Sequence, residues 1–477
     1  MSRLLDSLPE LDAASLAVAV ARGEVSLAEV AESFIAAVDA RNPGINALVR
    51  FDGDALRSQL ADLEALQRSG RPAPLLGVPF SVKDTIWVQG RKATQGSRLF
   101  ADFVAPQDAL AVQRLRRAGA LVLGHSNSSE FACKGVTTNK LYGPTRNPWN
   151  LDMTPGGSSG GAAAAVSAGL GPFALCTDGG GSTRRPASHT GVVGFKPSAG
   201  LIPHPVGFQE PLFGNGVIGL MSRSVADLGL LLPVLAGGDA RDPDAPVGLP
   251  GFDAGAALAP VKGLRIALSP RLGLDVPVEP EVAAAIEQVA AVLRDAGATV
   301  QERDPAWPPG AGEAAFATLQ FAGLAALYGE QWRRNPEQFD VDIGAQIEQG
   351  MGLSGAAVAA AHFERAQLYR SMADLFSHCD AVLTPTTPCT AWPFTELGPQ
   401  TIDGQAVSPR GHAVFTPIIN HSFHAAISVP CGLAANGLPM GAQIIVPRFQ
   451  DGRALALGRA VEEAFGHAFA APKWPFG

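Results

Sequence analysis

Thr154-Pro155-Gly156-Gly157-Ser158-Ser159-Gly160-Gly161 opens the stretch that decides the fold, and Asp178-Gly179-Gly180-Gly181-Ser182-Thr183-Arg184-Arg185-Pro186 closes it. Between these Gly/Ser clusters lie an Ala-rich segment, 160–168, that reads as a helix, and Phe173-Ala174-Leu175-Cys176-Thr177, a short apolar strand. Glycine lets backbone N–H groups approach a ligand closely and reaches conformations closed to other residues. A serine behind consecutive glycines therefore sits in an open turn ringed by N–H donors, an arrangement suited to an oxyanion.

The same rhythm extends outward. Ser26-Leu27-Ala28-Glu29 is a capping box that starts a helix running to residue 40, and residues 54–69 read as a second helix stopped by Gly70. Residues 75–82 form an apolar strand ending at Lys83-Asp84. Residues 108–118 read as a helix, 120–123 as a strand, and 264–268, 281–296 and 298–301 repeat strand, helix and strand. Helices alternating with short apolar strands define an α/β layer fold with a mainly parallel sheet. Residues 239–260, rich in Ala, Asp, Gly and Pro, read as a surface connection. Residues 305–400 read as a mostly helical, variable insertion over the sheet, a usual place for substrate selection. Residues 420–446 turn strand-like again, and no fixed-period repeat occurs.

Composition narrows the class. Of 477 residues, 47% are apolar and 17% charged, against about 25% charged in an average globular protein, so the chain is not disordered and has a large core. The 54 glycines and 38 prolines lack a three-residue period, which excludes collagen. Net charge is −8 with no basic run, and no nucleic-acid surface is indicated. The cysteines, Cys133, Cys176, Cys379, Cys389 and Cys431, are odd in number with no C-x-x-C pair. That argues against a disulfide framework and a cysteine-rich zinc site and suits the cytoplasm. Residues 1–12 are acidic without a signal-like apolar run. The uncharged stretches 153–177 and 411–447 are broken by Gly, Ser, Pro, His and Asn, so no membrane span is expected. A homodimer is compatible with the sequence, which does not decide the assembly.

Three readings compete for the first cluster. A phosphate loop would end in Gly-Lys-Ser/Thr, and this one does not. A nucleophile elbow, G-x-S-x-G, matches at Ser158 or Ser159 but needs a downstream acid and histidine, and nine histidines make that requirement weak. In the third reading Ser182 is the nucleophile and Ser158 a relay. That reading needs a base, and Lys83, delivered by an apolar strand to a desolvated place, could supply a neutral amine. From position alone, a strand-end lysine paired with Asp84 is the favoured reading.

Taken together, Lys83, Gly156-Gly157-Ser158-Ser159-Gly160-Gly161 and Asp178-Gly179-Gly180-Gly181-Ser182-Thr183-Arg184 resemble the amidase signature family of serine hydrolases. The resemblance extends through Gly77-Val78-Pro79, Gly143-Pro144-Thr145-Arg146-Asn147-Pro148-Trp149, Gly194-Phe195-Lys196-Pro197 and Gly437-Leu438-Pro439-Met440-Gly441-Ala442-Gln443. It spans about residues 63–239 and 420–463, the expected catalytic core of a single domain covering 1–477. It implies α/β/α layers around a large mixed, mainly parallel sheet. It also implies hydrolysis of a small-molecule amide through a seryl acyl-enzyme, without cofactor or metal. Ser182 is then the nucleophile, Ser158 the bridging serine beside a cis peptide, Lys83 the base, and Gly179, Gly180 and Gly181 with Ser182 the oxyanion hole. The alternatives are the catalytic subunit of a glutamyl-tRNA amidotransferase and, from another class, a non-catalytic scaffold.

Two departures from the family pattern bear on substrate range. Gly179 replaces a usually larger residue, which implies a more mobile loop or a wider pocket. Phe423-His424-Ala425 replaces a Gly-x-Pro and could bring a ring near the pocket. Asp178 and Arg184 are expected to brace the nucleophile loop. His421 and His424, spaced H-x-x-H, are read as structural, as are His125 and His189. Cys176 is read as an inert buried thiol, and Trp392, Phe394 and Phe415 as packing residues.

Overall fold

A computed structural model describes residues 7–311 and 313–466. The leading half of the 1–12 segment and the last part of the 1–477 span lie outside the described residues. In chain order the strands are β1 (Leu48–Phe51), β2 (Pro79–Lys83), β3 (Leu121–Ser126), β4 (Phe173–Asp178), β5 (Val193–Lys196), β6 (Val217–Ser222), β7 (Arg265–Leu268), β8 (Thr299–Glu302), β9 (Ala381–Pro385), β10 (Thr401–Ile402), β11 (Gln405–Ala406), β12 (Ala425–Leu433) and β13 (Pro439–Val446). Eleven of them form one sheet in the order β1-β3-β2-β4-β6-β5-β12-β13-β9-β7-β8, while β10 and β11 pair alone.

The expected large mixed sheet is present, with its parallel ladders gathered in two blocks, β3·β2·β4 and β9·β7·β8. Antiparallel ladders add β1 at one edge and carry the sheet from β4 through β6, β5, β12 and β13 to β9. Connection length explains the division. The helices Leu110–Arg117 and Pro280–Asp295 supply crossovers from β2 to β3 and from β7 to β8, whereas β12 and β13 are joined by a short hairpin, which must be antiparallel.

Alternation along β12 builds the layers. Ile427 and Val429 meet Gly458 of the helix Asp451–Phe465, while Ser428 faces Gly441 and Ser188, beside the helix Arg184–Thr190. Successive strand residues point to opposite faces, so the two helices lie on opposite sides of the sheet.

The capping box at Ser26 is made by Ser26 and Glu29, and its helix runs Leu27–Ile45. The helix expected over 54–69 is instead two, Gly53–Arg57 and Leu60–Arg68. Between them Gln59 turns its amide to β3, bonding both Val122 O at 3.0 Å and Val122 N at 3.1 Å. The 305–400 region contains the helices Glu313–Arg334, Val341–Met351 and Gly355–Phe376, as expected, and also contributes β9 to the sheet. Among the described residues no helix is long and apolar enough to cross a membrane.

Candidate active site

Because β2 and β4 are parallel neighbours, with Val82 opposite Leu175, their carboxyl ends finish side by side. That edge is where open α/β sheets place ligands. Lys83 is the last residue of β2, and Thr177 and Asp178 are the last two of β4. Lys83 is fully buried, and its Nζ bonds Ser158 Oγ at 2.7 Å and Thr177 Oγ1 at 2.8 Å. Burial lowers the Lys83 pKa to about 8, against a weaker upward pull from Cys176 and Asp178. The strand-end pairing of Lys83 with Asp84 is not made: Asp84 turns away and accepts from Thr94 N at 3.1 Å and Gly96 N at 3.1 Å.

Ser158 follows a cis peptide bond from Gly157 and is itself fully buried. Close packing requires the glycine: a Cβ on Gly157 would lie 2.7 Å from Gly135 C and 2.8 Å from Lys134 O. Ser159 stands at the N-terminal boundary of the buried helix Gly160–Ser167, its hydroxyl turned to Thr177 O at 3.4 Å.

Ser182 lies in the turn between β4 and the helix Arg184–Thr190 and lines a cavity of about 610 Å³. Its Oγ makes no protein hydrogen bond among the described residues, and Ser158 Oγ bonds only Lys83 there. The two serine loops are tied through the backbone, Ser159 N donating to Ser182 O at 3.2 Å.

The turn is held by Asp178. Its carboxylate accepts from Gly181 N at 2.8 Å, Thr183 N at 3.2 Å and Arg184 N at 3.3 Å. The Arg184 guanidinium grips both oxygens, Nη2 to Oδ1 at 2.9 Å and Nε to Oδ2 at 3.0 Å. Burial opposes ionisation of Asp178, but Arg184 outweighs it and holds the carboxyl well below the usual carboxylate range. Both side chains are fully enclosed, and breaking such a pair typically costs about 3–5 kcal/mol. Asn420 and Gln443 complete the brace, accepting from Arg184 at 2.5 Å and 2.6 Å. The sequence reading had the Asp178–Arg184 brace. It missed Asn420 and Thr177, and held Gln443 only as part of a motif.

Gly179, Gly180 and Ser182 present N–H groups that meet no acceptor among the described residues, whereas the Gly181 N–H is engaged by Asp178. The space left by Gly179 is not open, because a Cβ there would overlap Leu212. Phe423 does not line the cavity; its ring lies under the guanidinium groups of Arg365 and Arg448, at 5.2 and 5.5 Å.

Phe316 and Gln320 bring the 305–400 region to the cavity, and Gly180 packs against the Phe316 ring. Residues 241–245, expected as a surface connection, line it too.

The histidines set aside in sequence are enclosed. His125 bonds Ile86 O at 3.3 Å, His189 meets Trp392 edge-on at 5.3 Å, His421 meets Phe316 at 5.8 Å, and His424 stacks on Tyr369 at 5.4 Å. Burial pushes all four to a pKa of about 3. Among the described residues no three His, Cys, Asp or Glu side chains gather as a metal site. Phe394 lies under Arg146 at 4.4 Å, Phe415 is fully buried in the core, and all five cysteines are free and buried.

A mixed sheet carrying a buried lysine against a cis-peptide serine, beside a glycine-lined serine turn, defines the class, and sequence comparison agrees. The profile of the family described as Amidase matches residues 29–455, and the chain belongs to that family of amide-hydrolysing enzymes. An acylamidase of Rhodococcus erythropolis is 37% identical over 447 residues, 92% of each chain. One subunit of the glutamyl-tRNA(Gln) amidotransferase of a Roseiflexus species is 35% identical over 471 residues, covering 93% of this chain and 94% of its own. The crystal structure of a bacterial aryl acylamidase of the amidase signature family superposes with a TM-score of 0.88 at 30% identity, covering 97% of this chain and 98% of its own.

Proposed function

We propose that the chain hydrolyses a small carboxylic amide to acid and amine through an acyl-enzyme on Ser182. The observation that carries this is the Lys83 Nζ–Ser158 Oγ contact of 2.7 Å in a fully buried setting. As Ser182 Oγ attacks the amide carbonyl, its proton passes to Ser158 while the Ser158 proton passes to neutral Lys83. The Ser182–Ser158 hydrogen bond forms when substrate is bound, as catalytic contacts often do. Gly179, Gly180 and Ser182 N–H groups hold the oxyanion, each donor worth about 3–4 kcal/mol of barrier, while Gly181 fixes the loop through Asp178. The C–N bond then breaks, and the leaving nitrogen takes its proton back through Ser158. Water next attacks the acyl carbonyl by the same relay, releasing the acid and restoring Ser182. No cofactor enters these steps. Residues 305–400 select the substrate through Phe316 and Gln320, and five buried free thiols support a cytoplasmic setting.

The experiment is labelling with a fluorophosphonate probe alongside an amide-hydrolysis screen of the isolated chain. Ser182→Ala abolishes both; labelling that persists in that variant overturns the nucleophile assignment. Similarity to the amidotransferase supports a second reading, ammonia supply from glutamine within a larger assembly. Turnover of simple amides by the chain alone excludes it.

A further inference from the structure

Several charged groups that the proton route does not use line the cavity, and Arg185 is the one set against the nucleophile turn. Arg185 is 7% exposed, lines the cavity and follows Ser182 by three residues. Its backbone N–H donates to Gly181 O at 2.9 Å, and its Nε lies 3.1 Å from where a Cβ on Gly181 would sit. The guanidinium therefore abuts the nucleophile turn.

Arg184, its chain neighbour, is gripped by Asp178, Asn420 and Gln443. Arg185 has almost nothing. A guanidinium carries five N–H donors, yet the side chain makes one long bond, Nη2 to Gly157 O at 3.5 Å, and Nε is buried without an acceptor. No carboxylate pairs with it among the described residues. Asp178 is committed to Arg184, Asp342 bonds Lys134 at 3.2 Å, and Glu210 accepts from Gly214 N at 3.0 Å. The other groups around it are Arg410, which also lines the cavity, and the enclosed rings of His412 and His189. Burial and then the Arg410 charge lower the Arg185 pKa to about 9, which leaves it cationic at neutral pH. A buried cation without an anion is unfavourable, and a bound anion would relieve it. The planar fork of a guanidinium matches a carboxylate.

We propose that Arg185, with Arg410 beside it, forms a carboxylate-binding subsite, and that the preferred substrates are amides carrying a carboxylate close to the scissile bond. This rests on Ser182 marking that bond.

Two matched pairs test it: succinanilate against 4-methylpentananilide, and N-benzoylglycine against N-isobutylbenzamide. Each replaces a carboxylate by an isopropyl group, on the acyl side in the first pair and the amine side in the second. The expected result is a preference of about tenfold or more in kcat/KM for the charged member of at least one pair, the size of a charge-assisted hydrogen bond. Arg185→Gln collapses that ratio, mainly through KM, and Arg185→Lys retains part of it. Equal use of both members in both pairs by the unaltered enzyme overturns the subsite, whatever the variants do. Calorimetric binding of the same pairs to Ser182→Ala gives a readout independent of turnover. Failure of fluorophosphonate labelling would count against Ser182 alone, while the binding preference would still decide for or against Arg185.

Discussion

Lys83 closes β2 and Lys196 closes β5, and both are withdrawn completely from solvent. Burial is the leading cause of a lowered pKa in each, to about 8 for Lys83 and about 7 for Lys196. Their hydrogen-bond partners differ. Lys83 Nζ meets two hydroxyls, Ser158 Oγ and Thr177 Oγ1, whereas Lys196 Nζ meets the carbonyl of Pro197 at 2.8 Å. A hydroxyl can surrender a proton and take one from elsewhere; a carbonyl only accepts. Lys83 is therefore held by groups that can pass a proton on, one of which, Thr177, lines the cavity, whereas the carbonyl that holds Lys196 cannot. A depressed lysine pKa makes an amine available, and only the partner atom makes it a base.

Replacing each lysine with methionine is the sharpest way to break this comparison. Lys83→Met lowers kcat/KM by about a thousandfold or more, the size of a lost general base within a relay, while thermal unfolding shows the fold retained. Activity within tenfold of the unaltered enzyme would remove Lys83 from the proton route.

The pH profile sharpens it further. The folded pKa of Lys83 lies below the usual lysine value, so the reactive neutral form accumulates as pH rises through about 8. Below that point kcat/KM climbs about tenfold per pH unit, and above it the curve flattens. A flat rate from pH 6 to 9 would contradict a base with this pKa.

Lys196→Met has the smallest expected effect on turnover, less than about threefold in kcat/KM, with stability lowered because the enclosed charge it removes offsets the buried carboxylates of Asp178 and Asp451. A loss comparable to that of Lys83→Met would mean that buried positive charge, and not the hydroxyl contact, is what the chemistry requires.

Much of this was legible in sequence. The capping box at Ser26, the helix after Gly160 and the strands leading to Lys83 and through Thr177 depend on neighbours in the chain, and spacing reports them. The helix break at Gln59 was not visible, since its cause is a bond to Val122, 63 residues away. Leu212 filling the space beside Gly179 escaped notice for the same reason, as did β9 joining the sheet from within a helical region. Arg185 carried no reading from the sequence beyond its place after Arg184. The pairing of Arg184 with Asp178 was expected, but nothing in the chain order says that Arg185 is left facing the cavity without an anion.

The sequence by itself determined which groups exist at the end of each strand and in each glycine-lined turn, because those choices follow from local propensity, periodicity and backbone freedom. The tertiary structure alone decided which of two equally buried lysines touches a hydroxyl, which backbone N–H groups stay open and which arginine lacks an anion. Each of those outcomes depends on contacts between segments tens to hundreds of residues apart, whose geometry arises only when the sheet aligns their ends.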